Sequence, residues 1–106
     1  MVELVIMGRQ VLIEGHGTES EPFLVRGIKN DPALAAVAEE TMIDHWMGQG
    51  NWLLIESKIE STARDCFLAI LSIKTFDEND EVVQGKVWFD ISEAFERDSM
   101  VKQSIN

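Results

Sequence analysis

The feature that most constrains the fold is an apolar run, Cys66–Phe76, followed by a second strand-like run at Val82–Phe89. The first run is apolar at both odd and even positions for most of its length. Because successive side chains of a strand point to opposite faces of a sheet, such a strand is expected to be covered on both faces and central. The acidic connection between the two runs predicts an antiparallel hairpin.

Helix signals lie on both sides of this hairpin. Asp31-Pro32 joins a preferred N-cap residue to a proline at the first helical position, and Gly48 suits the residue that follows a helix. A helix is therefore predicted from Pro32 to about Met47. Asp90 and Glu93 have the spacing of a capping box and predict a second helix that runs to about Lys102.

Further strands are predicted in the rest of the chain. In one of them, Trp52–Ile59, a regular alternation would place Leu53, Ile55, Ser57 and Ile59 on one face. The others are Val2–Ile6, Val11–Ile13 and Phe23–Arg26.

The order of these elements predicts an α+β fold. We expect one domain over residues 1–106, with a mostly antiparallel sheet of about four to six strands and two helices packed on one face. The chain length is typical of a single domain. Hydrophobic residues make up 45% of the chain, so the many acidic residues do not indicate disorder, which also requires low hydrophobicity.

The chain has 19 acidic and 9 basic residues, a formal net charge of −10. A negative field repels phosphate backbones, so direct binding of DNA or RNA is disfavoured, and a basic protein surface would be attracted instead. No apolar stretch reaches the ~20 residues of a membrane helix. The single cysteine cannot form an internal disulfide, and no signal-peptide pattern opens the chain, so a cytoplasmic location is predicted.

Few side chains could carry catalysis. His16 lies in a glycine-flanked loop, His45 on the first predicted helix and Cys66 in an apolar strand. No two His or Cys residues have metal-ligand spacing. The acidic segment Asp77–Glu81 lacks the glycine and glutamate positions of an EF-hand loop. We therefore expect no catalytic residue, no metal site and no cofactor.

The first helix is predicted to be apolar on two sides, with a narrow polar face of Glu39, Glu40 and Asp44. In a small domain, such a helix is expected to border a partner. Trp46 lies between the two sides, and tryptophan is enriched at binding hot spots. The two sides consist of Leu34, Val37, Ala38, Thr41, Met42 and His45 on one stripe and of Ala36, Ile43 and Met47 on the other.

Together these features predict a small, acidic, non-enzymatic interaction protein that binds a basic partner protein. Inhibition of that partner, as by a nucleic-acid mimic or by an immunity-type or phage-type inhibitor, is one form of this function. The predicted partner-binding residues are Glu39, Glu40, Ile43, Asp44, Trp46, Met47, Asp77, Glu78, Asp80 and Glu81.

Two alternatives remain open from the sequence. One is a small-ligand-binding domain or small enzyme, whose pocket would lie between sheet and helices and be lined by Trp, Met and His45. That pocket could lie at a homodimer interface. The other is a homodimer whose role is assembly, since a spare apolar side of the first helix would support self-association.

Overall fold

A computed structural model describes residues 1–63 and 65–96. In these residues a six-stranded mixed sheet carries a single α-helix. The elements in chain order are β1 (Val2–Ile6), β2 (Arg9–Glu14), β3 (Phe23–Arg26), α1 (Pro32–Met47), β4 (Trp52–Ala63), β5 (Cys66–Phe76), β6 (Val82–Asp90) and a 3₁₀ helix (Ser92–Phe95).

The strand order is β1-β2-β3-β6-β5-β4. Two antiparallel units, β1-β2-β3 and β4-β5-β6, are joined by the parallel pairing of β3 with β6, in which Phe23 lies opposite Phe89. The loop before β3 extends this junction, because Trp88 N donates a hydrogen bond to the Gly17 carbonyl over 3.0 Å. Gly17 has a φ of +76°, and a Cβ at that position would overlap the Phe23 ring. Glycine is therefore required at the junction.

Helix α1 begins and ends at the predicted residues. Asp31 Oδ1 accepts a hydrogen bond from Leu34 N over 3.0 Å, and Pro32 occupies the first turn. At the other end, Gly48 adopts a φ of +91° and its N–H donates to the Asp44 carbonyl over 2.9 Å. The local signals Asp-Pro and Gly thus fix both ends of the helix.

The hydrophobic core lies between α1 and one face of the sheet, which we call the helix face; the opposite face is the outer face. Phe23 and Phe89 pack in this core with ring centroids 5.3 Å apart. The core residues include Val11, Ile13, Phe23, Val25, Leu34, Ala38, Met42, Ile43, Leu71, Ile73, Val87 and Phe89.

The prediction of two helices on a mostly antiparallel sheet is wrong; only the broad α+β class holds. The sheet is mixed, because β3 pairs with β6 in parallel while the other neighbouring strands are antiparallel. After β6 the Asp90 carboxylate accepts hydrogen bonds from Ser92 N and Ser92 Oγ, over 3.0 and 2.6 Å. The segment forms a 3₁₀ turn, and Glu96 has extended backbone (φ −67°, ψ 137°) that ends it. The rest of the predicted helix, to Lys102, lies outside the described residues.

The apolar faces of α1 also differ from the prediction. Ile43, assigned to a spare side, is fully buried, and Glu39, assigned to the polar face, is only 8% exposed. His45, assigned to the main stripe, is exposed. The buried residues Leu34, Ala35, Ala38, Glu39, Met42 and Ile43 form a single broad side. The helix therefore has no second apolar side that needs a partner.

Candidate functional site

Exposed apolar side chains are concentrated on the β4-β5-β6 unit. Strand β4 has eleven consecutive exposed residues, from Leu53 to Ala63, and it forms an edge of the sheet. Scattered exposed apolar residues are normal, but a group within one unit is typical of an interaction surface. The group consists of Leu53, Leu54, Ile55, Ile59, Phe76, Val82 and Val83.

The faces of β4 are set by a β-bulge. The pairing with β5 shifts between Leu54 and Glu56, so that Ile55 is the extra residue. Leu53, opposite Lys74, therefore shares the outer face with Glu56, opposite Ser72. The predicted regular alternation across this strand, with Leu53 on the same face as Ser57 and Ile59, is wrong for this reason.

The C-terminal end of α1 meets the β5-β6 hairpin tip. Trp52 Nε1 donates to Asp44 Oδ1 over 2.7 Å and joins the start of β4 to the helix. Asn51 Nδ2 donates to the Met47 carbonyl over 3.1 Å. An open depression of about 400 Å³ lies between helix end and tip, lined by Met47, Gly50, Asn51, Thr75, Phe76, Asp77 and Asp80.

The hairpin tip is an acidic turn held by one of its own carboxylates. Asp77 Oδ1 accepts hydrogen bonds from Asn79 N and Glu81 N, over 2.8 and 2.9 Å. Asp80 adopts a φ of +59°, which aspartate tolerates better than most residues. Glu78, Asp80 and Glu81 are exposed. Within residues 1–63 and 65–96, none of the ion pairs includes an acid of this turn.

Exposed apolar residues border this turn. Phe76 and Val82 lie directly opposite each other on the outer face, and both are exposed. Leu53, one strand away, lies opposite Lys74 on the same face. We call the tip surface the set formed by Leu53, Phe76, Asp77, Glu78, Asp80, Glu81 and Val82.

The residues predicted on α1 do not form one surface. Ile43 and Glu39 are buried, and the Asp44 carboxylate is bonded to Trp52. Met47 is half-buried and lines the depression beside the tip surface. Trp46 is 52% exposed and packs edge-on against Phe23, with ring centroids 5.8 Å apart.

Glu40 is exposed on α1, next in sequence to the buried Glu39. Burial raises the pKa of the Glu39 carboxyl to about 7, and the negative charge of Glu40 contributes in the same direction. Desolvation disfavours the charged form of a carboxyl, and a neighbouring carboxylate disfavours it further. Glu39 is therefore a buried carboxyl whose charge state depends on pH.

The three candidate chemical residues lie on different parts of the fold: the loop before β3, helix α1 and the start of β5. His16 is exposed, and its Nε2 lies 3.0 Å from Glu21 Oε2. His45 is exposed on α1. Cys66 is half-buried, and its sulfur accepts a hydrogen bond from Thr62 Oγ1 over 3.4 Å. In the described part of the chain, no cluster of three or more His, Cys, Asp or Glu side chains is arranged to hold a metal ion.

That β4 is an exposed edge strand was not predicted from the sequence. The signal was present in Glu56, Lys58 and Glu60, since alternating charges within a strand are typical of an exposed edge. The apolar residues between them favoured burial instead.

Comparisons with protein-family models, curated proteins and solved structures found no match to this chain. Among the described residues, no helix is long and apolar enough to cross a membrane.

Proposed function

We propose that this protein is a small, acidic, non-enzymatic interaction protein that binds a basic partner protein through the tip surface. The observation that carries the proposal is the combination of unpaired acidic side chains at the hairpin tip with exposed Phe76 and Val82 beside them. Within residues 1–63 and 65–96, these acidic side chains form no ion pair.

The two kinds of side chain support different parts of binding. Carboxylates with no cation of their own would steer a basic surface towards the tip and select against acidic partners. In many interfaces a few side chains that become buried supply most of the affinity, and aromatic residues are enriched there. Phe76, which lines the depression together with Met47 and Asp77, is the proposed anchor.

Binding would inhibit the partner if the tip surface covers a functional site on it. If the basic surface is the nucleic-acid site of the partner, the tip surface covers it and acts as a nucleic-acid mimic. A cytoplasmic location is part of the same proposal. It is supported by the lone, half-buried cysteine, which has no disulfide partner in the chain.

The alternative of a small-ligand pocket or small enzyme has weaker support. The predicted pocket position, between α1 and the sheet, is filled by buried side chains such as Ala38, Met42 and Ile43. His45, predicted to line that pocket, is exposed.

The proposal is tested by capturing partners on the immobilised protein and measuring the affinity of each purified partner. Phe76→Ala is expected to weaken binding about tenfold or more, since it removes an aromatic anchor. The pair Glu78→Gln and Glu81→Gln should weaken binding and reduce its dependence on salt. Asp77 is left intact because it holds the turn.

The matched control is Glu3→Gln with Glu19→Gln, which removes the same charge from exposed positions on β1 and on the loop before β3. The control variant should bind each partner within about twofold of the unmodified protein. Partners that bind the tip variants and the control variant equally well would contradict the proposal.

A further inference from the structure

Strand β4 is a long, uncovered edge. It spans Trp52–Ala63, and its side away from β5 has no strand beside it among the described residues. An edge strand presents a row of backbone donors and acceptors, so folded proteins usually keep edge strands short or cover them. The other edge, β1, has only five residues. Because β4 is long and apolar, its free edge is expected to pair with another strand.

The central part of β4 is regular and carries its charges on one face. Between the pairing shifts at Leu54/Glu56 and Ser61/Ala63, every residue from Glu56 to Ser61 is paired in register with β5. Glu56, Lys58 and Glu60 lie on the outer face, and Ser57, Ile59 and Ser61 lie on the helix face. Ile59 is 57% exposed.

We propose that β4 pairs in antiparallel fashion with β4 of a second copy of this chain, with Ile59 opposite Ile59 of the second copy. In an antiparallel pair, residues directly opposite each other point to the same face. A two-fold axis perpendicular to the sheet therefore places both copies of α1 on one side and joins the two sheets into one.

The registers in which the two β4 strands could pair differ in which charged side chains lie opposite each other. With Ile59 at the centre, Lys58 lies opposite Glu60 of the second copy, and symmetry repeats this pair. Within one copy Lys58 Nζ already lies 3.1 Å from Glu60 Oε1, so the contact would join two such ion pairs into one network. Ser57 lies opposite Ser61, so hydroxyl groups meet on the helix face. Opposite charges across a strand pair are favourable, and like charges are unfavourable.

The neighbouring registers fit less well. A centre at Lys58 places Lys58 opposite itself and Glu56 opposite Glu60, so that like charges meet in every charged pair. A centre at Ser57 pairs Glu56 with Lys58, but it brings the bulged residue Ile55 opposite Ile59 and interrupts the ladder. The Ile59 register is the one that joins opposite charges within a regular segment from Ser57 to Ser61.

This contact is separate from the tip surface and does not depend on the proposed function. Strand β4 begins beside the hairpin tip and runs away from it, since Trp52 lies opposite Thr75. In an antiparallel pair the two hairpin tips therefore lie at opposite ends of the dimer, and Leu53 is the residue of the tip surface that lies nearest to the second copy. Loss of partner binding and loss of self-association are measured with different variants.

The test uses sedimentation velocity on the full chain over a range of concentrations. The unmodified protein should form a species of twice the 12.0 kDa chain mass as concentration rises. Lys58→Glu and Glu60→Lys should each be monomeric alone, because each sets like charges opposite each other. An equimolar mixture of these two variants should form heterodimers, since every cross-strand pair is then of opposite charge.

Two controls make the test specific. The combined variant with both Lys58→Glu and Glu60→Lys should dimerise like the unmodified protein, because it exchanges the charges of each pair. Glu3→Lys, on the opposite edge, should leave dimerisation unchanged. Circular dichroism confirms that each variant is folded.

Three results would overturn the proposal: an unmodified protein that stays monomeric at all concentrations, a dimer that neither single variant disrupts, or a mixture that forms no heterodimer. A dimer disrupted by Lys58→Glu but not by Glu60→Lys would contradict the Ile59 register, because Glu60 has no charged partner in the register centred on Ser57.

Discussion

The two strands beside β5 have similar apolar side chains but opposite environments. On the helix face, Ala69 of β5 lies between Phe89 of β6 and Ile59 of β4. Phe89 is fully buried, whereas Ile59 is 57% exposed. Phe89 packs in the core beneath α1, whereas β4 contacts α1 at Trp52 and is exposed from Leu53 to Ala63. Burial of an apolar strand residue thus depends on what covers the strand.

The buried side chains beneath α1 and the exposed side chains of β4 are therefore expected to have different roles. Side chains under α1 are expected to determine the free energy of unfolding, because removing them leaves a cavity. Side chains of β4 are expected to determine what the protein binds, with little effect on the stability of the monomer. Variants with the same chemical change in the core and on β4 should therefore differ in their effect on stability.

Truncation of a leucine should affect the free energy of unfolding very differently in the adjacent strands β5 and β4. Leu71→Ala, at a site 2% exposed, should lower the free energy of unfolding by about 2–5 kcal/mol. Leu53→Ala, at a site 62% exposed, should change it by less than about 0.5 kcal/mol. Urea denaturation at low protein concentration measures both. Equal losses of stability would show that Leu53 belongs to the core and would contradict this difference between the strands.

The next effect is a pH dependence from the covered side. Folding raises the pKa of Glu39 from 4.5 to about 7, so the native state holds this proton more tightly than the unfolded state. The stabilisation from the bound proton is full below pH 4.5 and is lost as pH rises through 7, a decrease of about 3 kcal/mol.

Glu39→Gln should remove that contribution, so its free energy of unfolding should decrease less between pH 4.5 and 7.5. Glu40→Gln, at the exposed neighbouring position, is the control and should retain most of the decrease. Thermal or urea denaturation across this pH range measures the difference. A Glu39→Gln variant with an unchanged pH profile would contradict the assignment.

A smaller effect is expected where the 3₁₀ helix supports the chain before α1. Glu93 Oε1 accepts hydrogen bonds from Gly27 N and Ile28 N, over 2.7 and 2.9 Å. Glu93→Ala should lower the free energy of unfolding by about 2 kcal/mol, because two partly buried N–H groups lose a charged acceptor. Glu96→Ala, an exposed control, should have little effect. Similar urea midpoints for the two variants would contradict this role.

The sequence predicted the elements better than their arrangement. The bounds of α1 and β5 were predicted because the Asp-Pro and Gly signals and the apolar run act locally. The parallel pairing of β3 with β6 was not predictable, since it joins segments far apart in the chain. The start of the second helix was mispredicted because Asp90 accepts hydrogen bonds from Ser92, two residues on, and the chain there forms a short 3₁₀ helix instead of an α-helix.

The position of the acidic turn, but not its surroundings, could be predicted from the sequence. The acidic turn could be read from Asp77–Glu81, but its proximity to Met47 required the fold. The edge position of β4 depends on the strand order, which one sequence does not encode in a local pattern. The burial of Glu39 and Ile43 depends on which side of α1 faces the sheet, and an almost uniformly apolar helix does not specify this.

If the exposed edge of β4 is an interface between two copies of the chain, its backbone amides become hydrogen-bonded when the copies associate. The most direct measurement is hydrogen–deuterium exchange of its backbone amides at low and high protein concentration. We expect protection of the segment from Ser57 to Ser61 to increase with concentration in the unmodified protein and not in Lys58→Glu. Exchange in this segment that is independent of concentration, or added protection at β1 instead, would contradict the claim.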